Sequence, residues 1–561
     1  MSDFEFSMIN ASISLIELLQ REVRHPHTRQ LPDIYKIIAR TYSRGIHTPL
    51  ELVLTTLNTM ATMDRTATTE WLVAPKDSHV RMAPIVIVID VLERMLCDTY
   101  ALCAYTYERA SEGRVRRACV EWLGELARQQ LATLQYCRSL GTPHSLYYEE
   151  CEAWRSTAAH WYGMAARDVP DDGRWYAALG ELCERDVLLS MYYYCKSLQV
   201  VHPRLETREI MLELVHRKVQ QTRVAIRSPA HDLFAHLLGL LLMRVELDTF
   251  EGVLNRLAHH LTQDPCPLLE TEWCMISVCT AAAILEFGRE DAWVPARHLG
   301  AFHIPSDARP LSDSCATLLP DLYKQIQLAT QTHVSQPRDV ASILAACDNY
   351  NMPMPLSCAL ALAITLVDMA TRRLSLALND LAAHINAPGM FLTVMLSFLY
   401  VLTLRTDEPH ISAVCEVLRD RLPWSQLASY ACGDVFGSRP TDEAALLPPA
   451  QADLPEDWCL RGILWNVCTP KTSPVLSQTE GMHAFSFVSE SNMLADLGAI
   501  SRHFATLTTN TYRAAYAQDP ELKRLLQVRH ARTSLLTARL YGYTFQHKRD
   551  PHDSGSSLSE A

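Results

Sequence analysis

Apolar residues recur along most of the chain at the three- and four-residue intervals of an amphipathic helix, whereas runs that alternate like a β-strand are nearly absent. Helix-start signals accompany this pattern: Ser228-Pro229, for example, directly precedes a leucine-rich run. The most strand-like segment, residues 84–89, continues into a helical pattern, and nothing nearby could pair with it as a hairpin. The spacing therefore predicts an all-α fold.

Composition agrees with that prediction and narrows the function. Only 19 of the 561 residues are glycine, about half of the roughly 7% that proteins use on average. Glycine-rich phosphate loops and tight hairpins need that residue, so a doubly wound nucleotide-binding enzyme and an all-β protein are both disfavoured. The chain also lacks a Ser-His-Asp elbow, an HExxH sequence, a Walker loop and a dinucleotide fingerprint. We therefore predict no catalytic residues, no cofactor and no small-molecule substrate.

The cysteines and the net charge indicate where the protein works. The 17 cysteines are scattered and include no CxxC pair, and the nearest two, Cys274 and Cys279, lie in an apolar run. Reduced thiols packed in a core are therefore expected, rather than disulfides or a metal site. The acidic residues at positions 1–5 do not resemble a secretory signal, which favours an intracellular protein. The net charge of -12 disfavours nucleic-acid binding over the whole surface but allows a local basic patch.

Two long uncharged stretches, residues 350–367 and 385–404, could be mistaken for membrane spans. Both contain proline near their starts, which leaves roughly 12 to 15 helical residues in each, fewer than the ~20 that a bilayer requires. We predict buried helices of a large α-domain at both places and no membrane.

One region matches a tetratricopeptide pattern, in which small and large apolar residues recur with a period of about 34 residues. Ala158, Tyr162 and Ala165 occupy the small, aromatic and small positions of one helix face before Pro170. The next repeat supplies Tyr176, Leu179 and Gly180, with Cys183 in place of the usual tyrosine. Such repeats stack into a curved surface that binds a peptide or a partner helix and performs no chemistry. The alternative is an ordinary helical hairpin with small residues at those positions.

The same region resembles the central block of the telomerase-activating Ever-Shorter-Telomeres family, which includes adapters of nonsense-mediated mRNA decay. The resemblance rests on Trp161-Tyr-Gly-Met-Ala-Ala-Arg-Asp-Val-Pro170, Gly173-Arg-Trp-Tyr176 and Leu188-Leu-Ser-Met-Tyr-Tyr-Tyr-Cys-Lys-Ser-Leu198. A second stretch, Leu454-Pro-Glu-Asp-Trp-Cys-Leu-Arg-Gly-Ile-Leu-Trp465, is similar to one late in the helical domain of that family. The two matches occur in the right order, and the resemblance covers about residues 90–470 and extends to about 546.

The resemblance implies a domain organisation and a function. It implies a 14-3-3-like tetratricopeptide domain at residues 1–205, a solenoid-like α-helical-hairpin domain of the DNA/RNA-binding type at 206–546, and a disordered tail at 547–561. The implied function is non-catalytic adapter work in the cytoplasm and nucleus. The implied partner is a phosphorylated decay factor or, alternatively, a telomerase or telomere protein, and a scaffold that has lost both activities is also possible.

Recognition of phosphate in a helical groove needs two or three basic side chains that converge on one dianion. The resemblance implies one base on an N-terminal helix and one near the start of the matched block, where Arg109 and Arg155 are the candidates. A further basic run, residues 114–117, lies close to the first. The sequence departs from the family at the second position, because three glutamates at 149–152 precede Arg155. The alternative is that both arginines are solvated residues on a helix surface.

The clearest charge asymmetry lies near the C-terminus. Residues 522–549 contain seven basic residues and no acid. We predict that Lys523, Arg524, Arg529 and Arg532 contact RNA or single-stranded DNA, which would suit a telomerase-associated factor. The alternative is a closing helix whose leucines pack inward.

Glu456, Asp457 and Arg461, in the second matched stretch, follow a proline-rich loop. Acidic residues in a first helical turn, with an arginine nearby, are typical of a capped helix that holds a loop in place. A structural role is therefore expected for these three residues.

Overall fold

The computed structural model confirms the all-α fold: 84% of the described residues are helical, and they contain no β-strand. Residues 84–89, the most strand-like segment of the sequence, lie inside the helix Ala83–Arg109. The structure describes residues 83–109, 113–139, 147–183, 186–224, 229–263, 268–299, 339–377, 387–403, 408–431 and 433, and parts of 47–59, 456–465 and 526–541.

The described part of the chain is a series of helices, as the spacing of apolar residues predicts. In chain order they are α1 (Ala83–Arg109), α2 (Gly113–Ser139), α3 (Tyr147–Asp168), α4 (Gly173–Leu182), α5 (Val187–Gln199), α6 (Thr207–Val224), α7 (Ala230–Met243), α8 (Phe250–Leu261), α9 (Glu270–Ile284), α10 (Val340–Asp348), α11 (Met354–Ala377), α12 (Gly389–Thr403), α13 (Pro409–Arg421) and α14 (Trp424–Ala431). Helical residues are also present within 526–541.

The chain divides into two compact units, Met1–Asp168 and Val169–Ala561. The predicted boundary at residue 205 lies inside the second unit, because helices α4 and α5 pack with α9 and with the stretch 459–465. The division into domains at 1–205, 206–546 and 547–561 stays a prediction.

In the first unit, α2 packs against both α1 and α3 around a core of leucine, cysteine and tryptophan side chains. Gly124 of α2 allows the Tyr162 ring to approach, since a Cβ at that glycine would lie 2.9 Å from a ring carbon. Ala158, Tyr162 and Ala165 are all buried on α3, which confirms the predicted small, aromatic and small face. The 14-3-3-like arrangement stays a prediction.

In the second unit, α5, α9 and α12 form the centre of the core, and every residue of α12 is buried. The 15 residues of α12 confirm the predicted length of the second uncharged stretch. The helix predicted for the first uncharged stretch was too short, since α11 has 24 residues. Pro355 does not interrupt this helix, because it lies in the first turn, where no helical hydrogen bond is lost. By length and composition alone α11 could cross a membrane, but 78% of its most apolar window is buried against other helices.

Candidate functional site

The two stretches on which the family resemblance rests contact each other in the second unit. The Tyr192 hydroxyl donates to the Cys459 carbonyl oxygen at 3.2 Å, although the two residues are 267 positions apart. The Trp465 indole donates to the Gln199 side-chain oxygen at 2.8 Å, and the Leu464 amide donates to the Gln199 carbonyl oxygen at the same distance. We call this contact between α4–α5 and residues 459–465 the motif junction.

Two glycines make the close approach at the motif junction possible. Gly462 has a φ of +78°, and a Cβ there would overlap the Pro170 carbonyl oxygen. Gly173 follows Pro170 by three residues, and a Cβ there would lie 2.5 Å from the Ser197 carbonyl oxygen. Only a residue without a side chain fits at either place, so both motif glycines are explained by packing.

The motif junction also contains a fully buried lysine. The Lys196 ammonium group lies 4.3 Å from the centre of the Tyr176 ring, and neither side chain is exposed to solvent. The Tyr176 hydroxyl in turn donates to the Pro170 carbonyl oxygen at 3.1 Å. A cation on an aromatic face is stabilised most where water is excluded, so this contact fixes the matched block internally.

Glu456 forms the structural contact expected of it, but with a distant partner. Its carboxylate accepts two hydrogen bonds from the Arg529 guanidinium, at 2.7 and 2.9 Å, and both side chains are buried. Gly389 lies beside the same guanidinium stem, since a Cβ there would lie 3.1 Å from the Arg529 Cδ. This buried ion pair gives Glu456 a structural role, as expected, and Asp457 lies outside the described residues.

The predicted nucleic-acid contacts of Arg529 and Arg532 are wrong for this structure. Their exposed fractions are 3% and 4%, so the backbone of a nucleic acid cannot reach them. Neighbouring polar residues of the same helical segment are buried too. The His530 ring contacts the Tyr430 carbonyl oxygen, and the Ser534 hydroxyl donates to the Ala431 carbonyl oxygen. Lys523 and Arg524 lie outside the described residues.

The first unit carries a second group of aromatic residues, which is only half-buried. The Tyr100 and Trp154 rings meet edge to face at 5.4 Å, and the Tyr107 and Trp161 rings do so at 5.3 Å. The Trp161 indole donates to the Tyr100 hydroxyl at 2.9 Å. We call these four residues the aromatic seam.

The spacing within the aromatic seam defines how its two helices run. Both the α1 pair and the α3 pair are seven residues apart, so each pair shares one helix face and the two helices run parallel. At the end formed by Tyr107 and Trp161, the exposed Arg116 guanidinium lies 4.7 Å from the centre of the Tyr107 ring. Within the described residues Arg116 forms no ion pair. Arg116 is therefore an exposed cation at one end of the aromatic seam.

The structure does not bring Arg109 and Arg155 together. Arg109 follows Tyr107 by two residues, projects from the opposite side of α1 and stacks on the exposed Tyr105 ring at 4.9 Å. Arg155 projects about 100° around α3 from Trp154 and lies 3.5 Å from the Glu152 carboxylate. Their levels along the parallel helices differ by about two turns. Convergence of these two arginines on one phosphate therefore has no support in the geometry.

A pattern in the sequence indicates the aromatic seam, but it is not part of the tetratricopeptide pattern. Tyr100 with Tyr107 and Trp154 with Trp161 are aromatic pairs at the same interval of seven residues. Arg116 was visible only as part of the basic run 114–117, because its position over Tyr107 depends on how α2 packs against α1.

The described residues carry no candidate metal centre. They include no group of three or more His, Cys, Asp or Glu side chains that could hold a metal ion. Most of their cysteines are buried, as predicted, and burial raises the pKa of the Cys119 thiol to about 12. No protein-family model and no curated protein matches the chain.

Proposed function

We propose that the protein is a non-catalytic adapter of nonsense-mediated mRNA decay that binds a phosphorylated protein segment through its first unit. The proposal rests on the resemblance to the Ever-Shorter-Telomeres family. The observation that carries it is the motif junction: the two matched stretches are in direct contact, as expected if both belong to one inherited fold.

The aromatic seam is the surface that we assign to the ligand. Its rings are half-buried, so they can pack against a further segment without rearrangement of the core. Arg116 supplies a guanidinium at one end, and a guanidinium can donate two hydrogen bonds to a phosphate. The adapter function does not depend on Arg109 or Arg155.

The alternative, a telomerase-associated factor that binds single-stranded nucleic acid, loses its central support. Two of the four residues predicted for that role, Arg529 and Arg532, are buried. Binding of single-stranded RNA with a strong salt dependence would support this alternative, since the release of counterions makes such binding salt-sensitive.

The experiment is a titration of the full-length protein with matched phosphorylated and unphosphorylated serine-glutamine peptides. The proposal predicts binding that requires the phosphate and that weakens about tenfold or more in Arg116→Ala, as expected when a charge-assisted hydrogen bond is lost. The matched controls are Arg109→Ala and Arg155→Ala, which should leave the affinity unchanged. Equal affinity for both peptides would contradict the proposal.

A further inference from the structure

The two ends of the aromatic seam carry opposite charges. Glu150 of α3 lies one turn before Trp154 on the same helix face, and Glu93 of α1 lies two turns before Tyr100 on the face that Tyr100 shares with Tyr107. Both glutamates are half-buried, and within the described residues Glu150 forms no ion pair. Arg116 lies at the other end, over Tyr107.

The distance between the two ends of the aromatic seam equals the length of a short extended peptide. Glu150 precedes Trp161 by 11 residues on one helix face, which is about 16 Å along the axis. Trp161 contacts Tyr107, which carries Arg116 on its ring. An extended chain advances about 3.3 Å per residue, so about five residues would reach from one charged end to the other.

We propose that the aromatic seam binds an extended protein segment with an anionic residue at one end and a lysine or arginine about five residues away. The anion contacts Arg116, the cation contacts Glu150, and the intervening side chains pack on the four rings. This inference rests on the proposed function, and it adds a second requirement to the ligand beyond the phosphate.

Charge complementarity excludes the other polymers that an arginine and aromatic rings could attract. Each nucleotide of a nucleic acid carries a phosphate, so a strand that followed the seam would bring negative charge onto Glu150. An anionic membrane surface would meet the same repulsion. A polypeptide is the polymer that can place opposite charges at the two ends of this surface.

The test uses four synthetic peptides and the full-length protein. The first is a phosphoserine-glutamine peptide whose other residues are neutral. The second and third add one arginine five residues after or five residues before the phosphoserine, because the direction of the bound segment is left open. The fourth replaces the arginine of the tighter-binding one by glutamate. Affinities are measured by fluorescence anisotropy.

We expect one arginine-containing peptide to bind between about two- and fivefold more tightly than the neutral peptide, the range of a partly exposed ion pair. Glu150→Gln should remove that gain without changing the affinity for the neutral peptide, and Glu150→Lys should favour the glutamate-containing peptide. The matched control is Glu149→Gln, because Glu149 is exposed and projects about 100° away from the seam.

The outcomes separate this inference from the proposed function. Phosphate-dependent binding with no gain from either arginine, or a gain that survives Glu150→Gln, would overturn the inference and leave the adapter proposal intact. Failure of all four peptides to bind would overturn both.

Discussion

The aromatic seam and the motif junction are built from the same kinds of residue but use them differently. At the motif junction the aromatic rings are buried, and the charged side chains nearby have partners within the fold. Lys196 lies on the Tyr176 ring, and Glu456 forms an ion pair with Arg529. In the aromatic seam the rings stay half-buried, and Arg116 and Glu150 remain accessible at its ends. The most distinctive sequence motifs therefore maintain the fold, whereas the surface suited to a ligand has a less distinctive sequence.

If the motif junction maintains the fold, the largest loss of stability is expected from a substitution at Gly462. The substitution Gly462→Ala should destabilise the second unit by more than about 5 kcal/mol, because the added Cβ would overlap the Pro170 carbonyl oxygen and the backbone has a positive φ. Urea denaturation followed by circular dichroism measures this loss.

The matched control for that substitution is Gly252→Ala. Gly252 lies in α8, and a Cβ added there would have no neighbouring atom within 4 Å, so alanine should leave stability unchanged or raise it by up to ~1 kcal/mol. Equal stability of the two variants would show that the motif junction does not hold the fold together.

The buried pair of Glu456 and Arg529 should give the next largest effect. Arg529→Met alone should cost about 3–5 kcal/mol, because it leaves a carboxylate buried without its cation. The double variant with Glu456→Met should recover much of that loss, since two apolar side chains need no partner. A double variant no more stable than Arg529→Met would contradict this account, because the loss would then not come from the unpaired carboxylate.

An ionisable group of the first unit supplies a pH test. Burial raises the pKa of the Glu125 carboxyl, but hydrogen bonds from Arg128, Gln129 and Tyr162 and the charge of Arg128 outweigh it, so the pKa lies below its ordinary value of 4.5. The unfolded chain therefore binds this proton more readily, and the stabilisation present above pH 4.5 is lost as the pH falls through the folded-state value. Glu125→Gln should cost about 1–2 kcal/mol at pH 7.

The stability difference between wild type and Glu125→Gln should shrink when both proteins are denatured at about pH 3.5 instead of about pH 7. At the lower pH the unfolded chain, whose carboxyl has the ordinary pKa of 4.5, binds the proton, and this favours unfolding. A difference that is the same at both pH values would mean that the ionised carboxylate does not stabilise the unit.

The smallest effect on stability is expected at the aromatic seam itself. Arg116→Ala removes an exposed cation from the Tyr107 ring and should cost less than about 1 kcal/mol. Thermal denaturation measures the loss. A cost comparable to that of Arg529→Met would place Arg116 among the structural residues and would remove the distinction between the two regions.

The sequence predicted the features that depend on neighbouring residues. The helical spacing predicted an all-α fold, and the small, aromatic and small pattern at Ala158, Tyr162 and Ala165 predicted a buried face of α3. Local patterns suffice there, because residues three and four apart share a face of the same helix.

The sequence failed where long-range packing decides the environment of a side chain. Arg529 is basic and lies in a basic segment, yet its partner Glu456 is 73 residues away and no local pattern indicates that contact. Arg109 ends α1 and Arg116 lies in the first turn of α2, and only the packing of α2 against α1 places Arg116 on the seam.

Hydrogen-deuterium exchange of the full-length protein, with and without a phosphoserine-glutamine peptide, tests most directly whether the aromatic seam is the ligand surface. We expect slower exchange within residues 100–116 and 154–161 when the peptide is present, and unchanged exchange within 192–202 and 459–465. Protection confined to the motif junction, or none at the aromatic seam under conditions where the peptide binds, would contradict that assignment.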